Sequence, residues 1–80
     1  MKPLNRKPRL TYYCDKNRHL VCTPYSRENL DKMADRLGIG RHWFHKHHYD
    51  IPARRIGEIM NKCTIVSSKD IVRIIRNEYE

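Results

Sequence analysis

Apolar residues recur along this chain at helical spacing in three places. Leu30, Met33, Ala34 and Leu37 stand three and four apart, and Asp31, Lys32, Asp35 and Arg36 fill the opposite side. Ser26 precedes the run as an N-cap, Glu28 falls in the first turn, and Gly38 follows where helices end in the left-handed conformation. These signals predict a helix over 26–37. Ala53, Ile56, Met60 and Cys63, with Ile59 beside them, outline a second helix behind Pro52, a residue suited to a first helical position. Gly57 weakens that helix, and its missing side chain suggests close packing against a neighbour. Ile71, Ile74, Ile75 and Tyr79, with Val72 alongside, outline a third helix started by Ser67 or Ser68, with Asp70 in its first turn.

Between the helical runs lie short β-prone segments. Leu10 to Cys14 and His19 to Thr23 flank Asp15-Lys16-Asn17-Arg18, a turn by composition, so the two runs read as a hairpin. That hairpin brings the carboxylate of Asp15 and the imidazole of His19 together at one end of the sheet. Thr64-Ile65-Val66 is a third β run. Arg41 to His45 reads as one more helical turn, and Lys46 to Asp50 as a loop, too polar and too dense in histidine for a core strand. The expected architecture is α+β: a small three-stranded sheet, the N-terminal hairpin plus one later strand, packed against three to four helices. Residues 10–80 form the single domain. Residues 1–9, with Lys2, Arg6, Lys7, Arg9 and two prolines but no acid, read as a basic arm that lies along a phosphate backbone or is simply solvated.

Length and charge narrow the partners. Eighty residues make a marginal core, and the apolar faces of the helices make a homodimer an open expectation. The formal charge of +8 and the sequence pI of about 9.8 favour anionic partners: nucleotides, nucleic acid or an acidic protein surface. No apolar run approaches the roughly 20 residues of a membrane span, and no signal-peptide pattern is present, so a cytoplasmic protein is expected. Cys14, Cys22 and Cys63 are odd in number and form no CxxC, which argues for reduced, core-filling thiols.

Candidate chemistry is concentrated between Arg41 and Arg55. This stretch holds four of the five histidines, the only tryptophan, the only phenylalanine and three arginines. Arg41 and Arg55, with Arg54 beside them, offer planar forks for phosphate, and Trp43, Phe44 and Tyr49 are candidates for stacking on a base. The competing reading puts the aromatics in the core and the arginines in ion pairs with Asp50 and Asp35. Catalysis would fall to His48 with Asp50 or to His19 with Asp15, each carboxylate orienting an imidazole. No nucleophile motif or glycine-rich phosphate loop accompanies them. No cofactor and no metal are expected. His42 and His45, spaced for one helix face, are the only weak metal candidates, since no further ligand completes a familiar frame.

Taken together, His19-Leu20-Val21, the helix end Met33-Ala34-Asp35-Arg36-Leu37-Gly38-Ile39, Arg41-x-Trp43-Phe44, His48-Tyr49-Asp50-Ile51 and Arg55 resemble the domain of unknown function 4031 family, short proteins of bacteria and bacteriophages. The resemblance spans about residues 10 to 76. It implies a shared pocket built from Asp15, His19, Arg41, Trp43, His48, Tyr49, Asp50 and Arg55, and a phage origin would imply an accessory role in host metabolism or anti-defence. The leading expectation is a binding module that takes a nucleotide or nucleic acid in an Arg/His/aromatic pocket. The alternatives are a phosphodiesterase or nuclease-type hydrolase using His48 or His19, and an inhibitor of an acidic host protein.

Overall fold

The computed structural model describes residues 9–79. The expected arm at 1–9 therefore lies, but for Arg9, outside the described residues. Strand β1 (Thr11–Cys14) and strand β2 (His19–Thr23) form the expected hairpin, with Cys14 facing Leu20 across the ladder. Arg18 adopts φ 69° in the turn, and its amide donates to the Asp15 carbonyl at 3.2 Å. Helix α1 (Arg27–Leu37) starts where predicted: the Ser26 hydroxyl accepts from the Asn29 amide at 3.0 Å. It ends at Gly38, whose φ of 75° would strain any residue with a Cβ. Leu30, Met33, Ala34 and Leu37 are all buried, so the 3.6-residue pattern is the one the core uses.

The chain between α1 and the second helix departs from expectation. Arg41–Trp43 makes a single 3-10 turn, in line with the helical turn anticipated there. Beyond it, strand β3 (Phe44–His45) and strand β4 (His48–Asp50) form a hairpin around Lys46, which sits at φ 61°. The segment expected as a loop is thus largely strand. Three residues are too few to display an obvious alternation, but His-Tyr-Asp is polar, apolar, polar, and only Tyr49 is buried. A second 3-10 turn (Ala53–Arg55) leads into helix α2 (Ile56–Met60), which is shorter than its apolar spacing suggested. Gly57 does not serve close packing: a Cβ built there meets nothing within 4 Å.

Strand β5 (Thr64–Ile65) lies parallel to β1 at one edge, and helix α3 (Ser68–Ile75) follows, capped by the Ser67 hydroxyl. The sheet is mixed and five-stranded, in the order β3-β4-β2-β1-β5. The expected three strands are all in it, and the two added ones are the hairpin misread as a turn and loop. The α+β class holds, with three α-helices among the described residues.

Helices α1 and α3 cover opposite faces of the sheet. Tyr49 points to α1, where its hydroxyl donates to Asp31 at 2.7 Å. His19 and His48 point to the other side, where they share a groove with Ser68, Ile71, Val72 and Ile75 of α3. The core runs through both layers, from Leu30 and Met33 under α1 to Ile71 and Ile74 under α3. The three cysteines are free, two buried and Cys63 half-buried. Burial pushes the Cys22 thiol up to about 11, and burial with Cys14 alongside pushes Cys63 up to about 12, so both stay protonated at neutral pH. Among the described residues, no helix is long and apolar enough to cross a membrane.

Candidate functional site

The α3 side of the sheet gathers a cluster of two imidazoles and two carboxylates. Its foundation is Asp15, at the end of β1 and only 1 % exposed. One carboxylate oxygen, Oδ1, accepts from the backbone amides of Asn17 and His19, both at 2.9 Å. The other, Oδ2, accepts from the Ser68 hydroxyl at 2.6 Å and faces His19 Nδ1 at 2.8 Å. Burial opposes the charged form of Asp15. The hydrogen bonds from Ser68 and from the His19 ring and amide outweigh it, and the carboxyl is held below its ordinary value. An ionised carboxylate only accepts, so His19 Nδ1 carries the proton and, in the neutral ring, Nε2 keeps its lone pair.

His48 comes from β4. Antiparallel pairing sets Asp50 opposite His19, and His48 lies two residues before Asp50 on the same face. The rings of His19 and His48 meet edge to face with centroids 4.6 Å apart. His48 Nε2 stands 3.1 Å from Asp50 Oδ1. His45, the cross-strand partner of His48, stacks on it at 5.7 Å with planes 7° apart. Burial first, and the neighbouring His19 second, lower the affinity of His48 for a proton; Asp50 acts in the opposite sense without prevailing. One donor atom each from His19, His48 and Asp50 fall within 4.8 Å of one another, the one such group among the described residues. His42 and His45, the metal candidates raised by spacing, do not belong to it.

The remaining candidates are elsewhere and already engaged. Arg41 pairs with Asp31 at 3.4 Å and with Asp35 at 3.2 Å, both on α1. Arg55 donates to the carbonyls of Leu37 and Gly38 at 2.6 and 2.8 Å and pairs with Glu58 at 2.8 Å, which ties α2 to the C-terminus of α1. Those carbonyls are the ones a helix end leaves without partners, so Arg55 completes a cap. Tyr49 is fully buried, and burial followed by its bond to Asp31 pushes its hydroxyl up to about 12. Phe44 packs against Tyr49 with centroids 5.3 Å apart, and the Arg27 guanidinium covers its ring at 3.8 Å. Trp43 is half-buried against the core, and Arg54 is exposed.

The single concave cationic surface expected between Arg41 and Arg55 is therefore corrected. The arginines and Tyr49 act at α1, and His48 and Asp50 act across the sheet with Asp15 and His19. Of the ion pairs anticipated as the competing reading, the Arg41–Asp35 pair is present. Asp50 instead serves His48. Sequence reasoning missed Ser68 as a partner of Asp15, because 53 residues separate them and nothing local marks the contact. It also missed Asp31, the shared acceptor of Tyr49 and Arg41.

A family model described as "Protein of unknown function (DUF4031)" matches residues 7–78. This chain belongs to the DUF4031 family. No curated protein and no solved structure matches it. Within this DUF4031 chain, the groove beside His19 and His48 has a volume of about 160 Å³, and Ser68 also borders a wider cavity of about 550 Å³ lined by Lys16, Asn17, Ile65, Val66 and Ser67.

Proposed function

We propose that this protein is a small binding module for a phosphate-bearing ligand, a nucleotide or a stretch of nucleic acid, received on the α3 side of the sheet. The observation that carries this reading is the pairing of His19 and His48, each backed by a carboxylate, at the mouth of a groove in a chain of net charge +8. The groove alone is too small for a nucleotide, and it suits a phosphate group. The adjoining cavity past Ser68, with Lys16 at its rim and apolar Ile65 and Val66 in its wall, has the size and character for a sugar and base. Arg41 and Arg55 are committed to protein partners and are not part of the site.

The test is equilibrium dialysis against mononucleotides and short oligonucleotides. His48→Ala and Lys16→Ala should weaken retention, whereas Arg41→Ala should leave it in place. Binding that falls steeply with salt, and does so equally for all variants, would instead mark non-specific attraction to the overall charge. Retention that survives His48→Ala unchanged removes the site.

Hydrolysis of the same ligands is a second reading, favoured by the Asp15–His19 bond that leaves Nε2 as a lone pair. In that reaction a water oxygen bonds to phosphorus, the ester P–O bond breaks, and the departing oxygen takes up a proton. Incubation with oligonucleotides, with and without a chelator, decides it: no cleavage in either condition leaves the binding function alone.

A further inference from the structure

We infer that His19, His48 and Asp50 form the inner shell of a site for a divalent first-row transition cation, with Asp15 orienting His19 from behind. The inference deepens the phosphate-binding reading and rests on the same face of the sheet.

Charge is the first argument. The cluster sets the carboxylates of Asp15 and Asp50 against two imidazoles, so a cation placed there meets both negative charge and ring nitrogens. A dipositive ion bound there adds positive charge to the groove and leaves coordination positions open for a phosphate oxygen or a water.

Geometry is the second argument. The three donors already lie within 4.8 Å of one another. His48 Nε2 and Asp50 Oδ1 are 3.1 Å apart, close to the roughly 3.3 Å that separates two ligands on a tetrahedral ion with bonds of about 2.0–2.1 Å. An ion between them takes the place of the shared proton, which moves to Nδ1 or to solvent, so binding weakens in acid. The His19 ring, 35 % exposed and held by Asp15, lies edge to face against His48 with centroids 4.6 Å apart, beside the same pair of donors.

Preparation of the ligands is the third. Asp15 accepts the proton of His19 Nδ1 in a hydrogen bond, so in the neutral ring the nitrogen left for a ligand is Nε2. Ser68 and two backbone amides in turn hold Asp15, and Asn17 Nδ2 donates to the Ser68 hydroxyl at 3.0 Å. A carboxylate that orients a ligating imidazole, itself anchored by further hydrogen bonds, is the outer shell that histidine metal sites use. Two nitrogens and one oxygen favour zinc, cobalt, iron or nickel over calcium and magnesium, which prefer all-oxygen shells.

The experiment uses the untagged 80-residue chain after dialysis against chelator. Cobalt(II) is titrated while visible absorption is recorded, and zinc(II) is titrated by calorimetry and in a histidine-detected NMR experiment. The expected result is one ion per chain, ligand-field bands from cobalt, no competition from equimolar magnesium, and zinc-dependent changes at the His19 and His48 rings. Asp15→Asn should lower affinity about 10–100-fold with all three ligands still present. His19→Gln and His48→Gln should lose more than that. The variant His42→Ala should bind as the wild type does. Absence of cobalt bands overturns the inference, as do zinc effects confined to His42, His45 or His47. The NMR readout needs no variant, so a misfolded mutant does not blunt the test. If zinc binds but nucleotides do not, the phosphate reading falls and the cation site stands. If chelated protein retains nucleotides as well as the zinc form does, the cation site falls and the phosphate reading stands.

Discussion

Strand β4 sends Tyr49 to one side of the sheet and His48 and Asp50 to the other, and the two sides are finished differently. On the α1 side each polar group near Tyr49 has a partner that closes the network: Tyr49 to Asp31, Arg41 to Asp31 and Asp35, Arg55 to the helix end and Glu58. These bonds tie Tyr49 and Arg41 to α1 and α2 to the end of α1. On the α3 side the hydrogen bonds run inward from His19 to Asp15 to Ser68 and leave an imidazole lone pair at the groove. The same residue types, histidine, arginine, tyrosine and aspartate, thus make a scaffold on one face and reactive capacity on the other. What separates them is where the hydrogen-bonding chain ends.

The largest effect that would break this contrast comes from the scaffold. Tyr49 is among the largest fully buried side chains, and Tyr49→Ala should cost about 3–5 kcal/mol, as truncation of a buried aromatic usually does. That is comparable to the whole stability of a small domain, about 5 kcal/mol at the low end. The variant should lack a cooperative urea transition. If it unfolds with a midpoint near that of the wild type, Tyr49 is not structural and the division between the faces is wrong.

Asp15 belongs to both roles and comes next. Asp15→Ala would leave the Ser68 hydroxyl, the His19 ring and two backbone amides without their acceptor, at a cost of about 2–4 kcal/mol. Its pH dependence has a definite sign. The folded-state carboxyl lies below its unfolded value, so the stabilisation is present above about pH 4 and is lost as pH falls through the folded value. Asp31, also held low despite its burial by bonds from Tyr49 and Arg27, adds to the same acid loss. Urea midpoints recorded from pH 7 to pH 3 should fall on the acid side, and the fall should be shallower in Asp15→Asn. An unchanged acid slope would mean that folding does not lower the Asp15 carboxyl.

A crossed pair of substitutions sharpens the contrast further. Arg55→Ala removes the clasp between α1 and α2 and should lower the melting temperature while leaving ligand and cation binding intact. His48→Ala should lose binding, with a stability cost of about 1–2 kcal/mol for a ring that is 18 % exposed and packed between His19 and His45. Thermal melts and dialysis on the same two preparations suffice. Binding loss in Arg55→Ala at a temperature where it is folded would return the arginine to the site.

How far the sequence disclosed these faces depends on the length of each signal. Helix α1 carries four apolar residues in register, an N-cap serine and a terminal glycine, and all of these work as their chemistry suggests. The Asp15–His19 contact was legible because a four-residue turn of Asx and basic residues leaves little freedom in where its ends meet. Strand β4 was not legible, because three residues cannot establish a period of two against a background of charged neighbours. That one misreading had a large consequence. In a loop, His48, Tyr49 and Asp50 pool into one pocket with Arg41 and Arg55, whereas in a strand the middle residue must oppose the other two. Ser68 could not be assigned to the site, since its hydroxyl meets Asp15 only after β5 has paired with β1. Composition located the stretch where histidine and arginine accumulate, and pairing decided which of them could act together.

The smallest predicted effect separates stability from function outright. Gly57 lies within α2 with a helical backbone and open space where a Cβ would project. Alanine there loses less conformational freedom on folding and needs no repacking, so Gly57→Ala should raise stability by about 0.5–1 kcal/mol. Gly57 is exposed, and the substitution alone should leave cation and nucleotide binding unchanged. Its value lies in combination with His48→Ala. If the histidine face matters only by supporting the fold, added stability from Gly57→Ala should restore part of the binding lost in His48→Ala. If His48 is a ligand, the double variant should have a higher urea midpoint than His48→Ala alone and still fail to hold cation or nucleotide.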